Sequence, residues 1–259
     1  MRKAGGIFVV ALAASLAVTA LAAAELSQKG GLFVRFDGGI SPKALPRRAP
    51  APIAVSIEGT VRALKSSDPP ALSRIQIALN RGGQLDTRGL PVCNRGQLSS
   101  TNVTEALAAC GDALVGAGGI VAQTSFPDQP HHTLRGEVTL FNGREHGRPT
   151  ILAHVFQASP GPLTDVITFE VRRTGGAFGT VITGRMPPAL EHNGYLTSIF
   201  LRLRRTYVYR GRQHSYLSAA CPAPPGLSGA LFPFAKASMT FDDGRTLSST
   251  LTRTCRAKG

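Results

Sequence analysis

The run Leu196–Arg210, LTSIFLRLRRTYVYR, and the run Ala235–Cys255, AKASMTFDDGRTLSSTLTRTC, decide how this chain is read. In the first, Ile199, Leu201, Leu203, Tyr207 and Tyr209 share one side of an extended backbone. Ser198, Arg202, Arg204 and Thr206 fall on the other, with Phe200 and Val208. Successive side chains of a strand point to opposite faces, so this spacing predicts one long half-buried strand over 196–210. In the second run Ala235, Ala237, Met239 and Phe241 alternate with Lys236, Ser238, Thr240 and Asp242. Leu247, Ser249, Leu251, Arg253 and Cys255 then alternate with Ser248, Thr250, Thr252 and Thr254. Between them, Asp242-Asp243-Gly244-Arg245 is turn chemistry, because Gly244 adopts a positive φ without steric cost. The chain therefore closes on a hairpin. Folding it back carries Cys255 towards the residues before Phe234, where the Pro-rich loop after Cys221 returns. That predicts a Cys221–Cys255 disulfide.

Upstream the same period recurs. Leu32–Asp37, Ile53–Val61, Ile75–Leu79, Ile120–Phe126, Leu134–Phe141, Ile151–Ala158, Val166–Arg173 and Phe178–Met186 each read as a strand. Gly, Pro, Asn and Asp clusters separate them, and Phe141-Asn142-Gly143 reads as a strand end. Ser41–Pro52, rich in Pro and Arg, reads as an extended loop. Val103–Leu114 is the exception: its Ala and Leu content favours a short helix capped by Thr101 or Asn102. The glycines of Gly116-Ala117-Gly118-Gly119 then read as a helix C-terminal turn. The number of short strands and their spacing predict an all-β fold, a mostly antiparallel β-sandwich of jelly-roll-like form with one short helix. One domain over 25–259 is expected, with a split near 124–131 as the alternative.

Met1-Arg2-Lys3 followed by the uncharged Ile7–Ala24 has the layout of a secretory signal peptide over 1–24, ending in Ala22-Ala23-Ala24. An uncleaved anchor is the other reading of that segment, and no later segment is long and apolar enough to span a membrane. Export makes the four cysteines legible as two bridges. Three pairings exist on paper; local pairing favours Cys93–Cys110 and Cys221–Cys255. The formal charge is +14, and most of the cationic side chains are arginine. Such a chain can meet anionic wall polymers or lipid headgroups. The arginines are scattered, which gives no support for specific nucleic-acid binding.

Motifs for catalysis are sparse. Gly226-Leu227-Ser228-Gly229-Ala230 lacks the last glycine of a nucleophile elbow and reads as a turn. The six histidines, His131, His132, His146, His154, His192 and His214, read as solvated loop residues, not metal ligands. No cofactor or metal is expected. Glu137 and Glu170 are the carboxylates that a hydrolase acting on polysaccharide or ester substrates would use, and a cleft in which Glu137, Glu170 or His154 converge would favour that reading. With no Trp and four Tyr, the aromatic platforms that a sugar-binding groove usually offers are scarce. The best candidate site is basic: Arg202, Arg204, Arg205, Arg210 and Arg212, whose guanidinium groups match carboxylate and phosphate.

Leu90-Pro91-Val92-Cys93 with the Ala-Leu-Ala-Ala-Cys110 helix, and Ser215–Pro222 with the closing hairpin, resemble secreted β-rich proteins of unassigned function from high-GC bacteria. The resemblance rests on structural residues and implies no activity. The expectation is an exported, non-catalytic protein of the cell envelope or extracellular space that binds an anionic ligand. An extracellular hydrolase is the alternative.

Overall fold

A computed structural model describes residues 24–64, 68–124, 130–187 and 194–258. The start of the chain, on which the signal-peptide reading rests, lies outside the described residues, as does His192. In chain order the strands are β1 Glu25–Lys29, β2 Leu32–Ser41, β3 Ala44–Pro46, β4 Ala51–Pro52, β5 Ala54–Ala63 and β6 Leu72–Asn80. They continue as β7 Gly83–Leu85, β8 Leu114–Thr124, β9 Thr133–Glu145, β10 Arg148–Gln157, β11 Leu163–Arg173 and β12 Phe178–Arg185. The last are β13 Gly194–Leu203, β14 Thr206–Tyr209, β15 Arg212–Ser215, β16 Leu217–Ala219, β17 Gly229–Phe241 and β18 Thr246–Lys258. Helices α1 (Arg95–Leu98) and α2 (Val103–Cys110) lie between β7 and β8.

The fold is all-β and mostly antiparallel. One 13-stranded sheet runs β1-β2-β5-β13-β8-β9-β10-β11-β12-β6-β17-β18-β3, and in it only β3 and β18 pair in parallel. The sheet rolls until its two ends meet. Ser27 on β1 donates to Ser248 O on β18 (2.8 Å), and Arg253 on β18 reaches Asp37 and Gly38 on β2. Opposite walls then pack face to face like sandwich layers: a Cβ added to Gly59 on β5 would lie 3.9 Å from the Met239 methyl on β17. Strand twist favours such curling, and the inward apolar rows gain by it because each wall covers the other. β8 and β9 pair on either side of 125–129, with Gln123 opposite Thr133.

A second, smaller core lies outside the roll. Cys93, Leu98, Ala106, Cys110 and Ala113 pack on Phe141, Leu152 and Val166. The two helices therefore cover the outer face of β9–β11. This explains why β10 is buried without a break from Thr150 to Val155, where a one-sided strand would alternate. Asn102 caps α2, accepting from Glu105 N (3.0 Å) while Glu105 accepts from Asn102 N (2.8 Å). Both expected disulfides are present, Cys93–Cys110 and Cys221–Cys255, with Cα atoms 5.5 and 5.7 Å apart.

Four sequence readings need correction. The strand expected over 196–210 is two strands. The chain leaves the sheet at Arg204, whose N–H donates to Val115 O (3.0 Å), and β14–β15 form a separate hairpin turning at Arg210-Gly211. Both turn residues have positive φ (52° and 69°), as a tight two-residue turn requires. The alternation continues through the break because a bend between strands does not alter their period. Second, Gly116, Gly118 and Gly119 are inside β8, not in a turn. A Cβ on Gly118 would strike the Phe200 carbonyl, and one on Gly116 would lie 2.6 Å from Arg202 O. Glycine here lets the β8 backbone approach that of β13 closely. Third, β9 continues past Phe141-Asn142-Gly143 to Glu145, because the hairpin turns at His146-Gly147. Fourth, there are two helices. α1 lies in the polar segment after Cys93, where Asn94 and Gln97 form a capping box that the sequence spells out.

Candidate functional site

β1 pairs with β2 only from Leu32 to Phe36. Beyond Phe36 the edge of β2 faces β18 without a backbone ladder, and side chains close the seam instead. Arg253 sits on the inward row of β18 and is 6% exposed. It donates to Gly38 O and to Asp37 Oδ1, and also to Thr252 O (2.8 Å). Its cation thus satisfies a strand edge and a carboxylate together, which is the condition for burying a guanidinium.

A groove of about 460 Å³ opens beside this pair. Asp37, Ser41, Lys43, Ser56, Glu58 and Arg202 line it with Arg253. Lys43 and Arg202 are exposed, and among the described residues neither is ion-paired. Arg253 and Asp37 balance each other, so the groove's remaining charges are Lys43, Arg202 and Glu58.

The five arginines expected to form one basic site are divided. Arg202 lies in the groove. Arg204 is exposed in the link after β13. Arg205 is half-buried, and its Nη2 donates to Asp112 O (3.3 Å). Arg210 and Arg212 belong to the β14–β15 hairpin, where Arg210 stands 5.2 Å from the Tyr209 ring centre. Pairing register places Tyr207 opposite His214 and Tyr209 opposite Arg212, so those four share one hairpin face. The other face carries Val208, 74% exposed.

The tyrosine face rests on Asp86. His214 stacks on Tyr207, with ring centres 5.7 Å apart, and its Nδ1 is 3.6 Å from Asp86. Tyr207 donates to the Asp86 carbonyl (3.2 Å). Arg88 donates to both Asp86 oxygens, and that bond chiefly holds the Asp86 carboxyl down at about 2, against the opposing effect of burial. Burial raises the Tyr216 hydroxyl well above the usual phenol range. At the far end of β13, burial first and then Asp68 push Tyr195 up to about 12, and its hydroxyl donates to Gln123 (2.8 Å).

The residues a hydrolase would need are not together. Glu137 on β9 and Glu170 on β11 are exposed, and Glu170 pairs with Arg172 (2.7 Å). His154, read as a solvated loop residue, is fully buried in β10 beneath the helices. Its Nε2 lies 2.9 Å from Thr101 O and its Nδ1 3.3 Å from Thr139 Oγ1. It pins the helical cover to the sheet. His214 is half-buried as well, whereas His131, His132 and His146 are exposed. Among the described residues no three of His, Cys, Asp and Glu gather as a metal site, and no helix is long and apolar enough to cross a membrane. Sequence reasoning missed Arg253 and Lys43. Arg253 had a signal: an arginine in an otherwise inward row with Leu247, Leu251 and Cys255 requires a buried partner. Lys43 had none.

Compared with known proteins, the chain matches no family model, no curated protein and no solved structure.

Proposed function

We propose that this chain is an exported, non-catalytic binding protein of the cell envelope or extracellular space. It holds a phosphate- or carboxylate-bearing group of a wall polymer or lipid headgroup in the seam groove. The observation that carries the reading is that Lys43 and Arg202, neither ion-paired among the described residues, line the same groove while Arg253 is engaged with Asp37. Two cationic donors in one groove suit an oxyanion, and Glu58 in the same lining disfavours multiply charged ones. The two disulfides support an oxidising compartment. The separation of Glu137, Glu170 and His154 weighs against the hydrolase alternative.

The test is co-sedimentation with phosphatidylglycerol and phosphatidylcholine vesicles, beside pull-down on an anionic wall polymer. Lys43→Ala with Arg202→Ala should weaken binding on the order of tenfold, in a salt-dependent way. Arg210→Ala with Arg212→Ala should leave it unchanged. Equal binding by the groove variant removes the groove as the site. N-terminal sequencing of the exported form tests cleavage after Ala24.

A further inference from the structure

The interior of the roll is not filled. An apolar cavity of about 90 Å³ lies between its walls, lined among others by Ile57, Ile120, Val138, Phe169, Leu196 and Met239. These come from strands around the whole sheet. Every lining side chain among the described residues is apolar. Protein interiors pack at crystal density and leave few voids larger than a water. Here the inward row carries Gly59, Ala122 and Ala153 where larger side chains would close the space. Ile57, Ile120, Phe169, Leu196 and Leu201 point inward yet stay only half-buried.

We infer that this cavity is a binding site for a short aliphatic chain. A polar group entering it would lose water without gaining a partner, so the enclosed part of the ligand is hydrocarbon. Water is excluded on the same ground, because an apolar cavity of this kind stays dry. The volume corresponds to roughly six water-sized spheres, which suits a chain of about four to six carbons. Met186 and Met239 both line it, and their flexible thioethers let the wall adapt to the chain. The site is separate from the seam groove and does not depend on it.

Besides Met1, Met186 and Met239 are the chain's methionines, so methyl-¹³C-methionine labelling reports on the cavity directly. The experiment titrates 1-hexanol into the labelled protein, with methanol at equal concentration as the solvent control. Both methyl resonances should shift saturably with hexanol and not with methanol, and Tm should rise in step. Ala153→Leu projects extra carbons into the cavity and should lower the apparent affinity at least tenfold in a folded protein. Ala122→Val serves the same purpose with a smaller addition if the first variant does not fold. Absence of a saturable shift in the parent protein overturns the inference, as does undiminished affinity in a folded, filled variant. Neither result bears on the Lys43 and Arg202 assay, so the two proposals fail independently.

Discussion

Replacing Arg253 by leucine asks whether a side chain closes this sheet. The guanidinium is 6% exposed and bridges β18 to Asp37 and Gly38 of β2, where no backbone ladder joins them. A hydrogen bond to a charged group contributes about 1.5–3 kcal/mol. Removing one partner of a buried pair costs more, because the other charge is stranded. Asp37 keeps 30% of its side-chain surface, so water recovers part of that loss. The expected cost of Arg253→Leu is therefore about 2–4 kcal/mol, a fall in Tm of about 5–15 °C for a chain of this size. Arg253→Leu combined with Asp37→Leu leaves neither charge unpaired and should regain much of the loss. Urea unfolding of the parent, both single variants and the double variant gives the coupling energy, provided m stays constant. If Arg253→Leu unfolds within about 0.5 kcal/mol of the parent, or the coupling is nil, the seam is not held by this pair.

Asp86 predicts an acid-limb effect. Its folded carboxyl sits at about 2, below the ordinary 3.8, so the unfolded chain takes up the proton first as pH falls. The stabilisation is complete above pH 3.8 and disappears as pH drops through about 2. The Tm difference between the parent and Asp86→Asn should shrink across that window, and a flat difference would contradict the assignment. Gly118→Ala should lose about 2–4 kcal/mol, because its Cβ meets backbone of β13, which cannot rotate away. Gly161→Ala, with open space around it, should stay within about 0.5 kcal/mol of the parent in the same denaturation assay. Removing Cys221–Cys255, which closes a separation of 34 residues, should lower stability by about 3–4 kcal/mol in urea melts of Cys221→Ser with Cys255→Ser.

Much of the architecture could be read because period-two alternation depends on neighbours along one strand. The hairpin β17–β18 turns at Asp242–Arg245 as its composition requires, and its inward row is buried from Leu247 to Cys255. The helix starting at Val103 was legible through its composition, although it ends at Cys110 and Leu114 already belongs to β8. Readings failed where a residue's role depends on a distant strand. Gly118 looks like a turn glycine until the carbonyl of Phe200 lies beside it. His154 looks like a solvated histidine until α1 and α2 cover the outside of β10. The arginines after Leu201 look like one cluster until the chain leaves the sheet at Arg204 and divides them.

The sequence by itself determined the local quantities: strand periodicity, the closing turn at Asp242–Arg245, the presence of a helix after Asn102 and the sulfur pairing within each short loop. The tertiary structure alone decided that β2 and β18 meet across a seam, that Arg253 finds Asp37 there, and that the rolled walls leave an apolar cavity. The physical reason is that alternation fixes which side chains face inward but says nothing about which inward face lies opposite. Closure depends on twist and bend accumulated over thirteen strands, a sum that no single stretch of residues records.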